Sequence, residues 1–192
     1  MKPLQAMPKD ISSSSAGLDP GAAAAQTLHR IFELHHERAA HAAYRVTGSA
    51  SDAEDALQTV FLRLLGKAPP GAPEDLGPYM RRAAVNAALD ILRRRRRQRA
   101  VPLEDQPAPP ADPRPTPQQQ GLGSELGLQL RRALATLSPR AAEIFVLRFL
   151  EGYGNKEIAS MLGTTQNAVG VTLHRVREQM RRELGEYVGE AS

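Results

Sequence analysis

The stretch PYMRRAAVNAALDILRRRRRQR, Pro78–Arg99, decides how the rest of the chain is read. On a helical wheel Met80, Ala84, Ala87, Ala88 and Ile91 share one face, while Arg82, Asn86, Asp90, Arg93 and Arg97 recur on the opposite one. One face packs and the other presents polar groups. Eight arginines fall between positions 81 and 99 against a single acid, Asp90. Such a potential repels most proteins and attracts a polyanion. A solvated tether would explain the charge but not the apolar face ahead of it.

Composition narrows the partner further. The 192 residues carry a net charge of +4, and the excess sits in the first half: residues 27–100 hold 13 basic and 8 acidic side chains, residues 121–192 hold 9 and 8. Cysteine is absent, which excludes disulfides, thiol nucleophiles and cysteine zinc sites. No apolar run is long enough to span a membrane or to serve as a secretory signal, so the expectation is a cytoplasmic protein without membrane insertion. Aromatic residues are only 4% and tryptophan is absent, so phosphate contacts and polar readout should outweigh stacking on an aromatic platform.

Working outward toward the N-terminus, SDAEDALQTVFLRLLGK (Ser51–Lys67) reads as an amphipathic helix. Ser51 followed by Glu54 has capping-box spacing, and Asp52, Glu54 and Asp55 fall in the first turn, where the helix dipole favours acids. Ala53, Leu57, Val60, Phe61 and Leu64 form its buried stripe, leaving Asp55, Gln58 and Arg63 outside. Before it, Thr27–Thr47 has helical spacing and Gly48 is placed to end that helix in a left-handed cap. His35, His36 and His41 lie close together in sequence, but no carboxylate or cysteine set completes a metal site, so none is expected. Residues 1–26, with Ser12–Ser15, Ala22–Ala25 and three prolines, read as a disordered tail. Between the two helices flanking it, Gly66–Gly77 must form a shaped loop, because Pro69, Pro70, Gly71 and Pro73 stop the preceding helix.

Beyond Ala100 the composition changes, and the prolines from Pro102 to Pro117 mark a linker over residues 101–123. In polyproline geometry it could carry two halves to well separated sites. The second half is again helical. Ser124–Thr136 presents Leu126, Leu130, Ala133 and Leu134; Ser138–Pro139 is an N-cap followed by a first-turn proline; and Ala142, Ile144, Phe145, Leu147 and Phe149 are the apolar set of the next helix. After Gly152–Tyr153–Gly154 comes a short helix, NKEIASML, then a turn at Gly163. A longer helix, capped by Thr164 or Thr165, reaches about Leu184. This is the outline of a helix-turn-helix, whose second member enters the major groove. Val169, Leu173, Val176 and Met180 face inward, leaving Gln166, Asn167, Gly170, Val171, His174 and Arg175 for DNA and Arg177, Arg181 and Arg182 for phosphates.

With these segments in order, the chain resembles the bacterial sigma-70-type RNA polymerase sigma factors, in the short extracytoplasmic-function form (ECF, group 4). The likeness is carried by DAEDALQTVFLRLL, YMRRAAVNAALDILRRRRR, the proline-rich linker, and LSPRAAEIFVLRFLEGYGNKEIASMLGTTQNAVGVTLHRVREQMRREL. Either the arginine run or the helix-turn-helix alone would be weak; both, in this order around a linker, are specific. The resemblance implies an all-α fold of two small helical domains. Region 2, a three- or four-helix bundle, would occupy 27–100, and region 4, with the helix-turn-helix, 124–186, followed by a tail over 187–192.

The function the resemblance implies is promoter selection for core RNA polymerase, with no enzyme activity and no cofactor. Asp55, Gln58, Phe61 and Arg63 would face the polymerase β′ clamp helices, the β subunit completing the core partner. Arg82, Asn86, Asp90, Arg93, Arg94 and Arg97 would face the minus-ten region of promoter DNA, where an unstacked base is trapped without nucleotide hydrolysis. Thr165, Gln166, Asn167, Gly170, Val171, Thr172, His174 and Arg175 would read the minus-thirty-five duplex. An anti-sigma protein is the further partner that the resemblance implies.

The chain departs from the family where the recognition helix usually offers a basic residue, Ser and Arg: these positions read Gly170, Val171 and Thr172. Base reading should therefore lean on Gln166, Asn167, Thr172 and His174. Gly154 likewise replaces the usual Ser or Thr cap of the short helix. A helix-turn-helix regulator of response-regulator type is the alternative reading; it explains residues 138–184 equally well but gives Asn86, Asp90 and DAEDALQ no reason. An enzyme finds no phosphate loop, nucleophile or paired carboxylates to support it.

Overall fold

The computed structural model describes residues 20–65, 73–99 and 125–190, and every regular element among them is helical. In the first half α1 spans Pro20–Thr47, α2 Ala50–Leu65 and α3 Gly77–Arg99, with a single 3-10 turn, Pro73–Leu76, leading into α3. In the second half α4 spans Glu125–Thr136, α5 Pro139–Phe149, α6 Asn155–Leu162 and α7 Gln166–Glu190. The expected linker and most of the loop after Leu65 lie outside the described residues.

Two helix starts differ from the sequence expectation. α1 begins at Pro20 rather than near Thr27, so Ala22–Ala25 belong to a helix and not to the tail. Proline suits a first helical position, and alanine is the strongest helix former. α2 begins at Ala50, and the capping hydroxyl is that of Ser49, which accepts from the Asp52 amide at 3.3 Å. Ser51 is already inside the helix. Gly48 sets this register: its φ of 66° ends α1 in the left-handed cap expected from sequence, its amide donating to the Tyr44 carbonyl at 2.7 Å, and Ser49 is the next residue out.

α1, α2 and α3 form a bundle around α3, whose Met80, Ala84, Ala87, Ala88 and Ile91 are buried as their spacing predicts. Val85, Leu89 and Leu92 are buried too, because α3 is covered on more than one side. The second cover is the other half of the chain. One continuous apolar core joins Ala84, Val85 and Leu92 of α3 to Leu134, Leu137, Ala142 and Val146 of the α4–α5 hairpin. The halves are thus packed together here, where the linker composition suggested separation. Two residues of the expected apolar sets stay outside: Leu126 at the start of α4 and Phe149 at the end of α5 are exposed.

The helix-turn-helix has its own small core of Ile144, Leu147, Ile158, Ala159, Leu162, Val169 and Leu173. Its caps are largely those read from sequence. Ser138 Oγ accepts from the Ala141 amide, and Gly163 closes α6 with φ 59°. Thr165, rather than Thr164, caps α7 by accepting from the Ala168 amide at 3.1 Å. Gly154 has no side chain to cap α6, but the Glu157 carboxylate accepts from the Gly154 amide at 2.7 Å and supplies half of a capping box.

Candidate nucleic-acid interface

Three surfaces collect the candidate residues. The first is the outer face of α7. Its inner stripe, Val169, Leu173, Val176 and Met180, is buried, which turns Gln166, Asn167, Val171, His174 and Arg175 to solvent. Gly170 is half-buried, and a Cβ there would meet nothing within 4 Å. Thr172 has less free hydrogen-bonding capacity than its position suggested. Its hydroxyl donates to the Ala168 carbonyl at 2.8 Å inside the helix, so only acceptor capacity remains for a base edge. Arg177 lies over the Phe149 ring at 5.1 Å and Arg181 pairs with Glu178 at 2.5 Å, while Arg175 and Arg182 are exposed on the same helix.

The second surface is the polar side of α3, and the structure divides it. Toward the N-terminus, Arg82 and Asn86 are half-buried and already hydrogen-bonded. Arg82 Nε and Asn86 Nδ2 both donate to one oxygen of Glu143 on α5, at 2.7 and 2.8 Å, and Arg82 Nη1 donates to the Met161 carbonyl of α6 at 2.7 Å. Arg81, beside them, lies over the Tyr153 ring at 5.1 Å. Burial pushes the Tyr153 phenol above its usual pKa, with the Arg81 charge opposing, so the ring stays neutral as a stacking surface. Toward the C-terminus the arginine run separates by role. Arg95 pairs with Asp52 at 2.6 Å and Arg96 donates to the Ala135 carbonyl at 3.0 Å, so both are structural. Asp52, expected to serve the dipole in the first turn of α2, is only 4% exposed. Arg94 and Arg97 remain outward, and Arg93 is half-buried with Nη1 on Asp90 at 2.9 Å.

Arg63 joins this group. With Thr59, Asp90, Arg93, Arg94 and Arg97 it lines a groove of about 310 Å³ between α2 and α3, so a residue expected on the polymerase side borders the residues expected to face DNA. A second, larger cleft of about 700 Å³ runs from Thr47 and Ser49 to α4 and is lined by Arg95, Arg96, Arg99, Arg131 and Arg132. Burial lowers the Arg131 pKa. Its guanidinium fits against Gly48, where any Cβ would meet it at 2.5 Å.

The third surface is the outer face of α2. Asp55, Gln58 and Arg63 are exposed, as their spacing predicts, whereas Phe61, placed in the buried stripe by its spacing, is half-exposed. Sequence reasoning missed the apolar part of this face: Leu62 and Leu65 are each 67% exposed, and Phe32 of α1 stacks on Phe61 with ring centroids 5.2 Å apart. The signal was present, since the stripe Ala53–Leu57–Val60–Leu64 leaves Leu62 and Leu65 on the wrong side of the helix for burial. His35 belongs to the scaffold. Its Nε2 donates to the Pro73 carbonyl at 2.5 Å and anchors the turn before α3.

Comparison with known proteins matches both halves to family models: residues 31–98 to "Sigma-70 region 2" and residues 127–180 to "Sigma-70, region 4". The chain is 33% identical over 171 residues to the ECF RNA polymerase sigma factor SigE of Mycolicibacterium smegmatis, covering 88% of this chain and 66% of that protein. It is 31% identical over 159 residues to the RNA polymerase sigma factor CarQ of Myxococcus xanthus, covering 81% and 88%. A similar match, 31% over 157 residues, covers 81% of the chain and 76% of the ECF RNA polymerase sigma factor SigM of Mycobacterium tuberculosis.

Proposed function

Because the chain belongs to the sigma-70-type RNA polymerase sigma factors of the extracytoplasmic-function group, we propose that it binds core RNA polymerase through α2 and directs it to promoters through α3 and α7. The observation that carries this reading is the simultaneous exposure of two unlike faces. On α2, Asp55 and Gln58 border the apolar patch of Phe32, Phe61, Leu62 and Leu65; on α7, Gln166, Asn167, His174 and Arg175 project from a rigid capped helix. An exposed apolar patch rimmed by acids and amides suits a protein partner. A polar, cationic helix face preceded by a capped turn suits the major groove.

In this mechanism α7 positions the protein on duplex DNA. Gln166 and Asn167, at the N-terminal end of the helix, meet base edges, and Arg175 and Arg182 meet phosphates. Arg82, Asn86, Asp90, Arg93, Arg94 and Arg97 then engage the non-template strand near minus ten. Extruding a base there costs a few kcal/mol, which cationic contacts and a base pocket offset without hydrolysis of a nucleotide. No residue is given a catalytic role. Among the described residues there is no group of three potential metal ligands and no helix long and apolar enough to cross a membrane. An anti-sigma protein would compete for one of the two exposed faces. The response-regulator alternative has no account of residues 31–98, which match region 2.

The test is reconstitution. Added to bacterial core polymerase, the chain should co-purify with it and start transcripts at discrete sites whose upstream sequences share minus-ten and minus-thirty-five elements. Failure to bind core would overturn the proposal. Asp55→Ala should weaken core binding with little change in thermal stability, since its side chain is exposed.

A further inference from the structure

The larger cleft has no part in promoter recognition as proposed above. Its cations, Arg95, Arg96, Arg99, Arg131 and Arg132, are none of those placed on polymerase or DNA, and they converge on one cavity of about 700 Å³. Two carboxylates face them. Asp52 takes Arg95 at 2.6 Å, and Glu183 lines the cleft but is bonded to Thr136 and Gln179. Among the described residues, five guanidiniums against these two carboxylates leave three positive charges over. Like charges gathered in one cavity repel, and an entering anion relieves them.

The guanidiniums are held in place without being used up. Arg96 donates to the Ala135 carbonyl at 3.0 Å and Arg132 to Gln129 at 3.4 Å, one bond each from a group with five N–H donors. Arg131 packs against Gly48, where burial strips part of its hydration, and Arg99 and Arg132 are exposed. Arginine forks take two phosphate oxygens at a time, so a cluster of them suits linked phosphates better than a single carboxylate. The rest of the lining is apolar: Leu92, Ala133 and Ala135 are buried, and Leu128 is 45% exposed. Such a wall suits a flat organic body. The volume falls within the range of small-molecule sites, about 300–1,000 Å³. We propose that this cleft binds a nucleoside diphosphate or a nucleotide with more phosphates, its phosphates on Arg99, Arg131 and Arg132 and its base against Leu128. Because α3 and α4 both wall the site, the bound nucleotide stabilises their packing.

Calorimetric titration of the full chain at about 0.15 M salt, with ADP, GDP, AMP and inorganic pyrophosphate as probes, tests the site. ADP or GDP should bind about tenfold tighter than AMP, since the second phosphate adds charge-assisted contacts, and severalfold tighter than pyrophosphate. The same nucleotide should raise the melting temperature. Arg99→Gln and Arg132→Gln, both at exposed positions, should each weaken its binding about tenfold with helical circular dichroism unchanged. Arg38→Gln, on the exposed surface of α1, should change binding less than about twofold as a control for net charge. No binding of ADP or GDP at millimolar concentration would overturn the proposal. So would an equal loss in Arg38→Gln, which would reduce the effect to diffuse charge. Pyrophosphate binding as tightly as both nucleotides would overturn the nucleoside assignment. A short duplex of random sequence that displaces the nucleotide, and itself binds more weakly in Arg99→Gln and Arg132→Gln, would make the cleft a DNA surface and overturn the proposal as well. None of these outcomes bears on core binding, so this site and the promoter reading fail separately.

Discussion

α3 and α7 are both long helices with an apolar stripe and a polar, arginine-bearing face, yet one face is covered and the other open. The N-terminal part of the outer face of α7, from Gln166 to Arg175, is turned to solvent, because the inner stripe is divided between two cores, Val169 and Leu173 in that of the helix-turn-helix and Val176 and Met180 in the one shared with the first half. The N-terminal half of the α3 face is covered by α5 and α6, since α3 is apolar on more than one side and draws the second half of the chain onto itself. A duplex reader can stand ready at little risk. The α3 face proposed to hold unpaired strand would attract any polyanion if left open, and here its N-terminal donors, Arg82 and Asn86, are occupied.

The largest effect should come from breaking the covered face where it acts. In holoenzyme, Arg82→Ala or Asn86→Ala should reduce open-complex formation about tenfold or more, as loss of a charge-assisted contact of ~1.5–3 kcal/mol would. Permanganate footprinting of unpaired thymines checks this, with core binding measured alongside. A next, smaller effect belongs to the open face. Arg175→Ala should weaken binding to duplex minus-thirty-five DNA severalfold and make the log–log salt slope less negative by about 1, seen by titration at several salt concentrations. If Arg175→Ala impaired strand opening and Arg82→Ala only duplex binding, the roles of the two helices would be reversed.

The arginine run sharpens the same contrast within α3. Arg95→Ala should lower stability by about 1–2 kcal/mol, because it removes a charge-assisted partner from the buried Asp52 carboxylate, while leaving the promoter salt slope nearly unchanged. Arg97→Ala should do the opposite, since that side chain is exposed at the groove. Urea melts and salt titrations of the two variants separate these outcomes.

Much of this was legible from periodicity and caps. The stripes of α2, α3 and α7, the turns at Gly48 and Gly163, and the cap at Ser138 follow from spacing and backbone preference, both local properties. The family resemblance rested on the same local patterns. What could not be read was which polar residue meets which across the fold. Asp52 read as a helix-dipole acid of the first turn, and nothing local says that Arg95 lies against it. Glu143, in the middle of an apolar helix face, was the one local sign of a buried partner, but it does not say that the partner stands 61 residues earlier. The α2 cap slipped from Ser51 to Ser49 because two serines compete and the end of α1 decides between them.

The smallest effect concerns Gly170, which sits inside the exposed face of α7 where the family usually has a larger side chain. A helical glycine costs about 0.5–1 kcal/mol relative to alanine, and a Cβ at this position would meet nothing within 4 Å. Gly170→Ala should therefore raise the melting temperature by roughly 1–4 °C for a chain of this size. Its effect on duplex binding then decides why glycine stands there. Unchanged affinity would mean that DNA passes at a distance and that Gln166, Asn167 and His174 carry the reading. A loss of affinity in the more stable variant would mean that the DNA approaches the α7 backbone at Gly170, closer than a methyl group allows, and that the open face is shaped as well as charged.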